Sequence, residues 1–120
     1  IWKGKPVHPK DTTTIVKGTI VAFVTDTSPC KEAHELAENA DLLVCEASYT
    51  STLEEKAEEY THMTARQAAQ LASQAGVKKL LITHFSARYR TTTELLEDAK
   101  TAFQNTIAAH DLMKVSLDKK

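Results

Sequence analysis

Apolar residues along this chain fall into short, nearly continuous runs, and longer stretches with helical spacing lie between them. Residues 19–24 (Thr-Ile-Val-Ala-Phe-Val) are rich in β-branched and aromatic side chains and predict a strand ending at Thr25-Asp26-Thr27. Leu42-Leu43-Val44-Cys45 predicts a second strand, ending at Glu46, and Leu80-Leu81-Ile82 marks a third over Lys79–Thr83 that delivers His84. Pro29 suits the first turn of a helix near residues 30–38, with Ala33 and Leu36 facing inward. Residues 50–61 are polar and rich in glutamate and read as an exposed loop with at most a helical turn. Thr64-x-x-Gln67 has the form of a capping box, Ala65, Ala68, Ala69, Leu71, Ala72 and Ala75 supply an apolar helix face, and Gly76 supplies a stop. Thr91-x-x-Glu94 then caps a long helix carrying Leu95, Leu96, Ala99, Phe103 and Ile107, and a last short strand is expected over residues 113–117. Residues 1–14, with Gly4, Pro6 and Pro9, read as an irregular lead-in.

Strands and helices that alternate in this order define an α/β chain with a mostly parallel sheet. Such a sheet binds ligands outside the carboxyl ends of its strands. Three successive predicted strands end there in titratable residues, Asp26, Glu46 and His84. Imidazole and carboxylate are metal ligands, and Arg88, four positions beyond His84, suits a phosphate. The pattern suggests a metal-dependent site acting on a phosphodiester.

Each residue also has a plainer reading. Asp26 is equally at home in an Asx turn or helix cap ahead of Pro29, Glu46 as a strand-end charge facing solvent, and His84 as a strand-end side chain satisfied by backbone. His62 precedes the Thr64 cap, at a helix amino terminus that favours an anion, but exposed loop histidines are common. Arg88 and Arg90 with Lys78 and Lys79 form a basic group around the His84 strand that can track a nucleic-acid backbone or solvate a loop.

Composition narrows the classes. The 120 residues fit one domain, 42% hydrophobic and 26% charged, with three glycines and three prolines, which excludes disordered and collagen-like chains. Fifteen basic against sixteen acidic side chains exclude a strongly polybasic binder. Cys30 and Cys45 are too few and too far apart for a disulfide scaffold or zinc finger, and read as reduced cytosolic thiols. No apolar run approaches the roughly 20 residues a membrane span needs. No membrane role is expected. The first residue is Ile1 rather than Met, which points to a fragment or a processed product.

Taken together, these motifs resemble the ribonuclease Z family, the tRNA 3′-processing endonucleases of the metallo-β-lactamase superfamily. The resemblance runs from Gly4-Lys5-Pro6 to Asp111-Leu112 and corresponds to the C-terminal part of that enzyme. Thr25-Asp26-Thr27-Ser28-Pro29-Cys30 matches the family's aspartate motif, and Cys45-Glu46-Ala47-Ser48 its His-Glu-Ala-Thr motif with Cys45 and Ser48 substituted. His62-Met63-Thr64 matches its His-x-Thr motif, and Thr83-His84-Phe85-Ser86-Ala87-Arg88-Tyr89 its terminal motif.

The resemblance implies the C-terminal half of an αββα metallo-β-lactamase-type sandwich, with residues 1–120 as a single domain. It implies that Asp26 bridges two zinc ions and His84 ligates one. Glu46 would orient His62, which would protonate the leaving 3′ oxygen or stabilise the phosphorane, while Ser86 and Arg88 would position phosphate. The implied substrate is precursor tRNA in a cytoplasmic homodimer. The family's His-x-His-x-Asp-His motif and a further histidine ligand are absent, so an N-terminal half of the same fold must supply them. Two protein ligands make a poor site for two zincs, and this chain alone is expected to be inactive. Two rivals share these residues: another phosphodiesterase of the same fold, and a non-catalytic half-domain.

Overall fold

A computed structural model describes Gly4 and residues 18–117. The proposed lead-in, Gly4 aside, lies outside the described residues. Four strands, β1 (Val21–Val24), β2 (Leu42–Glu46), β3 (Lys79–Thr83) and β4 (Thr106–Ala108), form one sheet in sequence order. Every pairing is parallel, with Val24 beside Cys45, Glu46 beside Thr83 and Ile82 beside Ala108. The connections are the helices α1 (Lys31–Ala37), α2 (Glu54–Glu59), α3 (Ala65–Ala75) and α4 (Thr93–Lys100). The parallel α/β architecture read from the sequence therefore holds.

Alternation along the strands decides which face is covered. On β1, Ala22 and Val24 are buried against the helices, while Val21 and Phe23 project from the other face and are 43% and 65% exposed. The core joins Leu43 and Cys45 of β2, Leu80 and Ile82 of β3, Met63, and the alanine-rich face of α3. Alanines at 68, 69, 72 and 75 let that helix lie close to the sheet and lose almost no side-chain entropy.

Helix α3 is punctuated as its sequence predicts. Thr64 Oγ1 accepts from the Gln67 N–H at 3.1 Å, and the Gln67 carboxamide oxygen accepts from the Thr64 N–H at 2.9 Å. At the other end Gly76 adopts φ +72, the left-handed conformation that favours glycine, and a Cβ there would crowd Asn39 Oδ1 at 3.0 Å.

Four expectations need correcting. Helix α1 spans only seven residues and docks through Ala33 and Ala37, so Leu36 falls off the buried stripe and is 58% exposed. The glutamate-rich segment is ordered. A 3₁₀ turn (Ser51–Leu53) runs into α2, pinned by buried Ala57 and by Ser51, whose hydroxyl and N–H both donate to Asp98, at 2.6 and 2.9 Å. Helix α4 stops at Lys100, and its N-cap, Thr92, makes no side-chain capping bond. Ile107 belongs instead to β4, beside Leu81, because a tight turn in which Thr106 Oγ1 donates to the Phe103 carbonyl at 2.6 Å ends the helical register. Residues 113–117, where a last strand was expected, are irregular. Among the described residues, no helix is long and apolar enough to cross a membrane.

Candidate metal centre and catalytic edge

The loops leaving β1 and β3 place Asp26 and His84 side by side at the carboxyl edge of the sheet. His84 Nε2 lies 3.6 Å from Asp26 Oδ1. Both residues sit in the left-handed region, at φ +54 and +58. For side chains with a Cβ this backbone is strained, and such strain persists only where surrounding contacts over-determine it. Around His84 the contacts are plain. Its carbonyl lies 3.0 Å from Ser48 Oγ, the Thr83 carbonyl accepts from Ala47 N–H at 2.8 Å, and Ser86 N–H donates to the Ser48 carbonyl at 3.0 Å. The Cys45-Glu46-Ala47-Ser48 segment thus clamps the loop that presents His84.

Glu46 is the hub. As the last residue of β2 it is fully buried, so it is not a strand-end charge in solvent. Its Oε1 accepts from Thr27 N–H at 2.7 Å, and its Oε2 lies 2.7 Å from His62 Nδ1 and 3.1 Å from Ser48 Oγ. One carboxylate therefore ties together the loop after β1, the turn before α3 and the end of β2. A buried carboxylate is tolerated only with such partners. Because a carboxylate accepts and cannot donate, His62 carries its proton on Nδ1, and Nε2 is the ring nitrogen left for chemistry.

His62 reaches the cluster. One ligand atom from each of Asp26, His62 and His84 lies within 4.8 Å of the others, and the two imidazole rings are 5.5 Å apart. A carboxylate and imidazoles are the donor set divalent zinc takes, at bond lengths of about 2.0–2.2 Å. Two ligands of one tetrahedral ion then stand about 3.3 Å apart. The 3.6 Å between Asp26 and His84 fits that spacing. Asp26 is not the cap of α1: the cap is Cys30, without a side-chain bond, and among the described residues the Asp26 carboxylate caps no backbone N–H.

Cys45 stands where the motif carries histidine, and it turns inward. Its Sγ contacts Met63 Sδ at 3.9 Å in the core, and burial, reinforced by the Glu46 charge, pushes its thiol up to about 12. It is an inert apolar side chain, away from the cluster.

Ser86 and Arg88 lie together on the loop past His84, where Arg88 N–H meets Ser86 Oγ at 3.4 Å. With Tyr49, Lys56, Tyr60 and His62 they line one cleft, and the Arg88 guanidinium sits 5.8 Å from the centre of the Tyr49 ring. The loop is held by Tyr89, whose hydroxyl accepts from Thr50 N–H at 2.9 Å. Lys78 and Lys79 do not join this group. Lys78 pairs with Asp41 at 3.1 Å beyond the amino end of β3, a strand length of roughly 17 Å away. Sequence reasoning missed Tyr49, Lys56 and Tyr60. Their one signal was proximity, Tyr49 directly after the Glu46 motif and Tyr60 two residues before His62.

A parallel α/β sheet with a carboxylate and two imidazoles at its carboxyl edge is the frame of a metal-site domain. The chain belongs to the beta-lactamase superfamily: the family described as Beta-lactamase superfamily domain matches residues 7–85. Among curated relatives, it is 42% identical over 110 residues to ribonuclease Z of Protochlamydia amoebophila, covering 92% of this chain and 36% of that protein. It is 44% identical over 115 residues to ribonuclease Z of Ignicoccus hospitalis, covering 96% and 38%. Among solved structures, human tRNase Z, short form, superposes with a TM-score of 0.67 at 30% identity, covering 85% of this chain and 35% of that one. The metallo-beta-lactamase fold protein YhfI of Bacillus subtilis superposes with a TM-score of 0.66 at 29% identity, covering 74% and 36%. The chain spans a little over a third of the length of the curated relatives it matches.

Proposed function

We propose that these 120 residues are one unit, the C-terminal part of a zinc-dependent endoribonuclease that removes the 3′ trailer from precursor tRNA by phosphodiester hydrolysis. The observation that carries this reading is the buried Glu46 carboxylate, which fixes His62 with its Nε2 free beside the Asp26–His84 pair. Asp26 and His84 are the ligands this chain would contribute to a two-zinc centre. When bound, such a pair activates water at neutral pH and offsets charge on the scissile phosphate.

The chain's own residues do the rest. His62, protonated on both nitrogens, donates from Nε2 to the leaving 3′ oxygen, and Glu46 stabilises the imidazolium from the other side. Ser86 and the Arg88 guanidinium hold the phosphate in the adjoining cleft. The remaining metal ligands come from an N-terminal half of the same fold. The exposed Val21 and Phe23 on the open face of β1 suit its docking. The complete enzyme acts as a homodimer in the cytoplasm.

The test is the complete zinc-loaded protein assayed on a precursor tRNA and on bis(p-nitrophenyl) phosphate. Cleavage at the tRNA–trailer junction supports the reading. Hydrolysis of the small diester alone assigns the same residues to another phosphodiesterase.

A further inference from the structure

The cleft beside His62 holds two residues that hydrolysis does not need. Its volume is about 520 Å3, well within the range of small-ligand clefts, about 300–1,000 Å3. Lys56 and Tyr60 stand one helical turn apart at the end of α2, so their side chains leave the same face. Tyr60 is 55% exposed, and among the described residues its ring meets no aromatic or cationic partner and its hydroxyl makes no hydrogen bond. Lys56 pairs with no carboxylate among the described residues, although four glutamates share its helix.

Charge and backbone both single out this side of the helix. Glu54, Glu55 and Glu59 line a second cleft, and Lys56 and Tyr60 form the border it shares with the first. Three carboxylates repel a polyanion from that second cleft, whereas the cleft beside His62 has no carboxylate in its lining and adds Arg88 to Lys56. Between Tyr60 and His62, Thr61 adopts φ +59, a strained conformation for a β-branched residue. The bonds from Thr61 N–H to the Glu58 carbonyl and from His62 N–H to the Ala57 carbonyl, at 3.1 and 2.8 Å, lock that turn. The turn fixes the backbone of Tyr60 relative to that of His62.

We propose that Tyr60 and Lys56 form a nucleotide subsite for single-stranded RNA. The Tyr60 ring stacks on the base adjoining the scissile phosphate, and the Lys56 ammonium contacts the next phosphate. Paired bases are already stacked on one another, so the ring demands an unpaired nucleotide. The inference rests on the endoribonuclease reading and adds strandedness, which the metal cluster does not determine.

The test uses the complete protein, precursor tRNA with an intact or an abasic nucleotide beside the cut, and a short single-stranded RNA carrying 2-aminopurine. Tyr60→Ala is expected to raise KM about 5- to 100-fold, the worth of one stacked base. Tyr60→Phe restores the wild-type KM, and on the abasic substrate Tyr60→Ala adds no further loss. Lys56→Gln lowers the slope of log affinity on log salt by about 0.7, one single-strand phosphate contact. An unchanged KM in Tyr60→Ala, or a Tyr60→Phe protein as poor as Tyr60→Ala, overturns the subsite. If the wild-type protein cleaves no RNA, the endoribonuclease reading fails separately. Quenching of 2-aminopurine on binding, lost in Tyr60→Ala, still decides the subsite.

Discussion

Replacing Glu46 by glutamine changes one oxygen to an NH2 group and leaves the shape alone, so it isolates what the carboxylate does. The new carboxamide can still accept from Thr27 N–H through its oxygen, but the atom facing His62 Nδ1 and Ser48 Oγ becomes a donor. In the native protein those two groups both lie against Glu46 Oε2, at 2.7 and 3.1 Å. Two donors cannot share a line, so the His62 Nδ1–H loses its acceptor and the imidazolium that donates from Nε2 loses the negative charge that stabilises it. A hydrogen bond to a charged group contributes about 1.5–3 kcal/mol, and glutamine forfeits that for the His62 contact while adding a repulsion. The folded state should lose about 2 kcal/mol, read as a lower urea midpoint of the chain. In the complete enzyme kcat on precursor tRNA should fall about 10²- to 10⁴-fold, the usual worth of a positioned general acid. KM should move much less, because Glu46 is buried beneath the cleft and does not line it. A Glu46→Gln enzyme with native kcat and an unaltered pH profile would refute the idea that this carboxylate sets the state of His62.

Thr64→Ala removes half of the α3 capping box and should cost about 1 kcal/mol of unfolding free energy, measured by urea titration. Arg88→Ala should weaken binding of precursor tRNA and shallow its salt dependence by nearly one unit of slope, while zinc content stays at the wild-type level; an unchanged slope removes Arg88 from the phosphate site. Of the two cysteines, exposed Cys30 should react with a thiol reagent in the folded protein, and Cys45 only after denaturation, since it is buried and its thiol is pushed up to about 12. The same shift has a sign in stability. The folded state favours the neutral thiol, so this contribution is complete below the ordinary thiol value of 9.0 and is lost as pH rises toward 12. Relative to Cys45→Ala, the native chain should therefore lose stability between pH 9.0 and 12, at about 1.4 kcal/mol per unit.

The first three strands were legible because each is a short apolar run with a polar residue at its end, and β3 (Lys79–Thr83) was read at its observed bounds. Helix α3 was legible because its sequence carries both punctuation marks, the Thr64–Gln67 box and Gly76. What escaped was whatever depends on packing across the chain. Ile107 has the helical spacing of Leu96 and Phe103, and only the hydrogen bonds of the turn before it carry it into the sheet. Residues 50–61 look solvated because the one apolar side chain they bury is the small Ala57, and their tethers to Tyr89 and Asp98 lie far along the chain. At the site, Asp26, Glu46, His62 and His84 were singled out by their places at strand and helix ends. The bonds that draw them together run through Thr27 and Ser48, whose roles are a backbone N–H and a hydroxyl that no spacing rule marks. The burial of Glu46 and the inward turn of Cys45 follow from alternation along β2, which a strand buried on both faces conceals.

The division of labour at the edge is tested most directly by measuring bound zinc and precursor-tRNA cleavage together in the complete protein, for Asp26→Ala and His62→Ala prepared side by side. The account predicts that Asp26→Ala loses both metal and activity. His62→Ala keeps its zinc near the wild-type stoichiometry while turnover falls about 10²- to 10⁴-fold. Loss of zinc from His62→Ala would make that imidazole a ligand rather than a proton donor, and full zinc retention by Asp26→Ala would contradict the metal centre itself.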